Sequence, residues 1–121
     1  MNTKNDVIII RVRDLDAHRK YFRDLQFEVV DMSETQFTAR FNDKVIGVIK
    51  APKGQREHPE VQGNGIEIWL SVDDIKSHYE RAKAAGVKIT VDIDNRGYGP
   101  VGDYGTVSPE GFQFFFSQPR P

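Results

Sequence analysis

The feature that most constrains the fold of this chain is an internal repeat. A β-branched run at 7–12 is followed by Asp14 and then by apolar residues at helical spacing, and an alternating run at 66–72 is followed in the same way by Asp74. The two patterns lie sixty positions apart, as Val12 and Val72 do, with no gap through strand, helix and next strand. A helix-capping residue, the apolar residues of a helix and the strand that follows rarely all match at one fixed offset by chance. The sequence therefore predicts two copies of one structural unit.

Each copy is predicted to be a βαβββ module, because β character returns three times after each helical segment. Turn-forming residues at 42–43 and 108–111 separate the last two strands of the modules. The predicted strands are 7–12, 27–31, 36–41 and 44–50 in the first module, and 66–72, 87–94, 102–107 and 112–117 in the second. We therefore predict an α+β fold in a single domain, with modules at about 7–50 and 65–118 joined by a linker at 51–64 that contains Pro and Gly.

Composition and charge argue against several kinds of partner. The 17 basic and 18 acidic residues give a net charge of -1, and no run of Lys or Arg forms the basic stripe that nucleic acid requires. The absence of cysteine suits a reducing compartment. The apolar run at 7–10 is too short for a signal sequence or a membrane span. We therefore expect a cytoplasmic protein that binds neither nucleic acid nor a membrane.

Three short motifs in this duplicated pattern resemble one known superfamily. VDDI at 72–75, AAGV at 84–87 and SPEG at 108–111 are similar to the vicinal oxygen chelate superfamily, which contains glyoxalase I, bleomycin-resistance proteins and extradiol dioxygenases. The resemblance is closest to the bleomycin-resistance-like members. It implies two βαβββ modules that form curved mixed sheets around a central cup, with the helices outside, and a homodimer. A fold of this kind leaves the function open.

The resemblance also implies where a metal ion would be held. Enzymes of the superfamily usually bind a divalent metal through one residue on the first and one on the last strand of each module. By position these residues are Val7 and Glu67 on the first strands, Phe115 on the last strand of the second module, and Val48 or Ile49 on that of the first. Only Glu67 offers an oxygen ligand, whereas a catalytic metal needs about three protein ligands. We therefore expect no metal cofactor.

Strand alternation separates the residues that face the cup from those that face a helix. The residues expected on the cup side are Glu67, Trp69 and Ser71, then Val7, Ile9 and Arg11 by the repeat, and Gln113, Phe115 and Ser117 on the last strand. The cup is thus predicted to be aromatic and apolar with a few polar groups, which is typical of a pocket for a flat organic ligand. From this set we select Glu67, Trp69, Arg11, Gln113 and Phe115 as ligand-binding residues.

Glu67 and Trp69 are the sharpest candidates in that set. The Glu67 carboxylate could bind a ligand cation or act as a base, which makes it the one candidate catalytic residue, or it could pair with Arg11 to satisfy its charge. Trp69 could stack on a planar ligand, or it could form a cup wall or a dimer interface.

Two tyrosines add to the predicted ligand-binding set. Tyr98 and Tyr104 flank a Gly-rich stretch that could form a rim over the cup, or a plain hairpin with surface tyrosines. The stretch 97–102 matches the glycine spacing of dinucleotide-binding loops, but it leads into a strand, whereas such loops lead into a helix. We interpret this match as a coincidence.

The three histidines have separate interpretations. His18 and His78 are equivalent in the repeat and lie on the helix stripes or their edges, which predicts roles in helix packing. His58 lies in the linker, where we expect an exposed loop residue.

The leading functional hypothesis is a bleomycin-resistance-type protein that sequesters or recognises a small, partly aromatic ligand without a metal. The alternative is a glyoxalase-type lyase, isomerase or dioxygenase that uses Ni, Zn, Fe or Mn, held by Glu67 and His58 or by other ligands. A third possibility is an interaction protein with a vestigial cup.

Overall fold

The computed structural model describes residues 7–51, 66–94 and 101–120. The chain divides into two compact units, 1–57 and 58–121, which we call module 1 and module 2 and describe one at a time. Module 1 contains β1 (Val7–Val12), α1 (Leu15–Asp24), β2 (Glu28–Ser33), β3 (Gln36–Phe41) and β4 (Lys44–Lys50). Module 2 contains β5 (Glu67–Ser71), α2 (Ile75–Ala84), β6 (Ile89–Asp94), β7 (Gly102–Val107) and β8 (Gln113–Gln118).

Each module has one four-stranded mixed sheet with the same strand order. The orders are β1-β4-β3-β2 and β5-β8-β7-β6. The first and last strands of each module pair in parallel, and the other pairs are antiparallel. The predicted α+β class with two βαβββ modules is confirmed.

Both helices begin at the aspartates that the repeat predicts. The Asp14 carboxylate accepts a hydrogen bond from the backbone N–H of Ala17 at 3.0 Å, and Asp74 accepts one from Ser77 at 3.1 Å. These bonds satisfy amide donors that have no partner within the helix. After α2, Gly86 adopts a φ of 87°, which a residue without Cβ reaches at little cost and which ends the helix.

One face of each sheet packs against its helix. In module 1 the fully buried Phe22 of α1 makes edge contacts with Phe27 and Phe37, at ring-centroid distances of 4.9 and 6.2 Å. In module 2 the ring of the buried Phe116 packs against the His78 ring of α2, with a centroid-to-centroid distance of 4.4 Å. The prediction that Phe116 on the last strand faces the helix is therefore confirmed. We call the opposite face of each sheet, which does not pack against that helix, its open face.

His18 and His78 pack beneath the helices, as predicted. His18 is fully buried, and its Nδ1 lies 2.8 Å from the backbone carbonyl oxygen of Asp14. His78 is also buried, and its Nδ1 lies 2.6 Å from the hydroxyl oxygen of Tyr104.

The register corrects one position in the predicted equivalence of the modules. Gly47 lies opposite Ile9 across β1 and β4, whereas Phe115 lies opposite Trp69 across β5 and β8. The counterpart of Phe115 is therefore Gly47, 68 positions earlier, and the prediction of Val48 or Ile49 was wrong. The offset grows beyond sixty because the β6–β7 and β7–β8 connections are both longer than the β2–β3 and β3–β4 connections.

Within the described residues, neither helix is long and apolar enough to cross a membrane.

Candidate functional site

The open face of module 2 carries a stacked pair of aromatic rings. Trp69 on β5 and Phe115 on β8 lie opposite each other, with ring centroids 4.8 Å apart and an interplanar angle of 18°. Phe115 is only 6% exposed, whereas Trp69 is 44% exposed. A large aromatic surface is thus buried on one side and open to solvent on the other, an arrangement suited to a planar ligand.

A glycine on the neighbouring strand makes room for this pair. Gly105 of β7 lies opposite Phe115, and a Cβ there would come within 2.5 Å of Cε2 and 2.7 Å of Cζ of that ring. No side chain larger than hydrogen is compatible with the observed ring position. We call Trp69, Phe115 and Gly105 together the aromatic shelf.

A carboxylate orients the outer ring of the shelf. Trp69 Nε1–H donates a hydrogen bond to Glu67 Oε1, with an N···O distance of 3.0 Å. Glu67 and Trp69 are two positions apart on β5, so their side chains leave the same face of the strand. The carboxylate is itself exposed.

Three further residues of this face are polar or acidic, beside the apolar Val91 and Val107. Asp103 of β7 is fully buried two positions from Gly105, and the exposed Asp94 lies opposite Asp103. Gln113 lies opposite Glu67, and its Nε2 donates to the Ile66 carbonyl oxygen at 3.5 Å. The four strands of module 2 contain no Lys or Arg, so their side chains present only negative formal charge.

The structure brings together four of the residues selected from sequence on one face of module 2. Glu67, Trp69, Gln113 and Phe115 share the open face of module 2. Arg11 lies on β1 of module 1, half-buried and opposite Ile49. Tyr98 and His58 lie outside the described residues.

Tyr104 does not lie on a rim. It is fully buried on the helix side of β7, where it bonds to His78 and stacks on Phe116 at 5.5 Å. Burial raises the pKa of its phenol, because the phenolate would lose its hydration. The expectation of a rim or surface tyrosine is therefore corrected: Tyr104 belongs to the core of module 2.

Sequence reasoning missed two residues of the open face, Gly105 and Asp103. An isolated glycine inside a strand pattern often marks a close approach, so the run 102–107 did contain a signal for Gly105. Asp103 had no such signal, because its burial depends on packing that strand alternation does not reveal.

The open face of module 1 lacks an equivalent shelf. Ile9 stands at the position of Trp69, and Gly47 stands at the position of Phe115. The Ile9 side chain, 50% exposed, lies over Gly47, where a Cβ would come within 2.5 Å of Cδ1. The aromatic shelf is thus specific to module 2.

The described residues do not fit the metal site that the resemblance implies. In module 1 the two positions are Val7 and Gly47, and neither has a donor atom in its side chain. In module 2 they are Glu67 and Phe115, so a single carboxylate remains. Among residues 7–51, 66–94 and 101–120, no group of three or more His, Asp or Glu side chains is placed to hold a metal ion.

Two βαβββ modules, each with one helix and one four-stranded mixed sheet of the same strand order, define a class of small α+β proteins. The family model of the Glyoxalase/Bleomycin resistance protein/Dioxygenase superfamily matches residues 4–116. The chain belongs to this superfamily.

Solved structures with the same fold include a resistance determinant, a ligand-binding protein and another protein of the superfamily. A bleomycin resistance determinant encoded on the transposon Tn5 is 18% identical, with coverage of 98% of this chain and 100% of that chain and a TM-score of 0.76. A bleomycin-binding protein complexed with bleomycin is 18% identical, with coverage of 98% and 100% and a TM-score of 0.73. A glyoxalase/bleomycin resistance protein/dioxygenase from Alicyclobacillus acidocaldarius is 19% identical, with coverage of 100% and 96% and a TM-score of 0.72. No curated protein sequence matches the chain significantly.

Proposed function

We propose that this protein binds a small, flat, partly aromatic molecule on the aromatic shelf and needs no metal ion to do so. The observation that carries the proposal is the Trp69–Phe115 stack, in which one indole face is packed and the indole stays 44% exposed. Stacking a ligand ring on such a surface is worth about 0.5–1.5 kcal/mol beyond the buried area. The packed inner ring lowers the cost of ordering Trp69 on binding.

The charge of the shelf's surroundings narrows the ligand class. The exposed carboxylates of Glu67 and Asp94 belong to the strands around the shelf, and those strands have no basic residue. A ligand carboxylate would meet like charge there, whereas a neutral or cationic ring would not. The relative that was solved with bleomycin supports a small organic ligand in general, although its 18% identity does not carry its ligand over to this chain.

The test uses the single tryptophan of the chain as a reporter. A nitrogen-15-labelled sample gives one indole N–H resonance, which belongs to Trp69. It is titrated with three flat probes: quinoline at a mildly alkaline pH where it is neutral, N-methylquinolinium as the cation, and naphthalene-1-carboxylate as the anion. We expect the neutral and cationic probes to shift the resonance and the anion to bind most weakly.

A pair of variants ties binding to the shelf. Phe115→Leu removes the ring beneath Trp69 and should weaken binding, whereas Phe112→Leu makes the same change at a buried residue just before β8 and should not. If none of the three probes shifts the indole resonance at millimolar concentration, the proposed function is wrong.

The alternative is a metal-dependent lyase, isomerase or dioxygenase, and only the carboxylate at Glu67 favours it. Elemental analysis of protein purified without a chelator separates the two functions. We expect less than stoichiometric Ni, Zn, Fe or Mn. A stoichiometric metal that is lost in Glu67→Gln would favour the alternative.

We also propose that the protein is a single-domain homodimer in the cytoplasm. The exposed apolar side chains of the edge strand β1, Val7, Ile8 and Ile9, support self-association, and the lack of cysteine supports a reducing compartment. Light scattering during size-exclusion chromatography tests the dimer, and a monomer mass at micromolar concentration would contradict it.

A further inference from the structure

We infer that Glu67 is a positioning residue: its carboxylate holds the Trp69 indole flat on Phe115, and its negative charge is not what the site requires. This inference deepens the proposed function and rests on it. It also departs from the role that the superfamily resemblance assigns to this position, which is metal ligation.

The geometry of β5 gives Glu67 this role. Residues two apart on a strand are about 6.6 Å apart, a distance that a glutamate and an indole can bridge. The Glu67 Oε1 atom accepts the indole N–H at 3.0 Å, and the indole stacks at 18° on Phe115. A tryptophan has a soft rotation about its ring bond, so stacking alone does not decide which ring edge points toward Glu67. The hydrogen bond fixes that orientation.

The residues around Glu67 explain what a carboxylate does at a position where the other side chains do not fit a metal site. Phe115 stands at the superfamily ligand position opposite Trp69 and supplies the ring on which the indole lies. Gly105 leaves the space that this ring needs. Glu67 therefore belongs to a set of residues that serve the aromatic shelf, and an acceptor oxygen is the only chemical property that this set demands of it.

If Glu67 acts as a hydrogen-bond acceptor, Glu67→Gln should have little effect on binding, whereas if it acts through its charge, the same substitution should weaken binding. Glu67→Gln keeps an oxygen at the same reach but removes the charge, whereas Glu67→Leu keeps a similar volume and removes both. If Glu67 positions Trp69, the Gln variant should behave like the wild type. If Glu67 is a metal ligand, a base or a binder of ligand cations, the Gln variant should fail together with the Leu variant.

The experiment measures binding of neutral quinoline, which reports on the positioning of Trp69 alone, and of N-methylquinolinium, which reports also on any charge that the site requires. We expect Glu67→Gln to bind within about twofold of the wild type and Glu67→Leu to bind roughly fivefold to tenfold more weakly, as the loss of one orienting hydrogen bond implies. Glu80→Gln and Glu80→Leu, on the exposed side of α2, are the matched controls and should bind like the wild type.

A second readout keeps this inference separate from the proposed function. Nitrogen-15 relaxation of the Trp69 indole in the ligand-free protein should show a rigid ring in the wild type and in Glu67→Gln, and a mobile ring in Glu67→Leu. An equally mobile indole in the Gln variant, or an equally rigid one in the Leu variant, overturns the inference whether or not any probe binds. If no probe binds while the relaxation results hold, the proposed function fails and the positioning role stands.

Discussion

The same Gly→Ala change at two positions tests the packing of the aromatic shelf. Neither Gly105 nor Gly47 has a positive φ, so an alanine backbone is acceptable at both. At Gly105 the new Cβ would lie 2.5 and 2.7 Å from two atoms of the Phe115 ring edge. At Gly47 it would lie 2.5 Å from Cδ1 of Ile9, the far end of a flexible side chain.

The freedom of the neighbouring side chain decides the magnitude. Phe115 is only 6% exposed and is covered by Trp69, so its ring can move only if the stack opens. Overpacking of this kind costs about 1–3 kcal/mol. The lower entropy of the unfolded Ala chain returns about 0.4–1 kcal/mol. We therefore expect Gly105→Ala to lower the free energy of unfolding by about 1–2 kcal/mol.

Gly47→Ala should be close to neutral. Ile9 is 50% exposed, so a rotamer change can carry its Cδ1 into solvent. Such a change costs about 0.5–1.5 kcal/mol at most, which the unfolded-state gain largely offsets. The contrast between the two alanines, and not either value alone, measures the rigidity of the shelf.

Urea denaturation followed by far-ultraviolet circular dichroism gives both free energies of unfolding. The double variant Gly105→Ala/Phe115→Leu should lose less stability than the sum of the losses in the two single variants, because the smaller side chain relieves the contact with the new Cβ. Equal stabilities for Gly105→Ala and Gly47→Ala, together with an unchanged Trp69 indole resonance in both, would refute this reasoning.

The remaining predictions concern the core and the helix caps. Tyr104→Phe should cost about 0.5–1.5 kcal/mol at neutral pH, because the hydrogen bond between the Tyr104 hydroxyl and the buried His78 ring is lost. The folded-state pKa of Tyr104 is raised above its ordinary value of 10.0, so above that pH the unfolded chain releases the proton first and the wild type loses up to about 1.4 kcal/mol of stability per pH unit. The difference between wild type and variant should therefore shrink above about pH 10 in urea titrations, and a pH-independent difference would count against it. Asp14→Ala and Asp74→Ala should each cost about 1 kcal/mol in the same assay, and no loss from either would show that its cap bond is not stabilising.

Local signals made most of the fold predictable from sequence. Asp14 and Asp74 mark helix starts because a short acidic side chain can reach the free amide donors of the first turn. Strict alternation from Glu67 to Ser71 assigns the two faces of β5, since side chains alternate along any strand. These rules depend only on near neighbours in the chain, so they hold without knowledge of the tertiary packing.

The errors arose where the outcome depended on contacts distant in sequence. In the run 102–107, glycines lie on both faces of the strand, so alternation alone did not show which face packs against α2. Tyr104 lies on that face, where its hydroxyl forms a hydrogen bond with His78. The strand β6 begins at Ile89, later than the predicted residue 87, because Val87 bonds back to Ala82 at the end of α2 and does not enter the ladder. The counterpart of Phe115 was misplaced because the register of the last strand depends on connection lengths.

The two modules show how a shared fold acquires different faces. In module 1 the glycine lies on β4, so the side chain that spreads over it is Ile9 of the edge strand, which is 50% exposed. In module 2 the glycine lies one strand further in, on β7, so Phe115 of β8 spreads over it and the edge-strand Trp69 can stack above. Moving one glycine by one strand thus changes a single apolar layer into two aromatic layers. The binding surface that we propose depends on that shift as much as on the aromatic residues themselves.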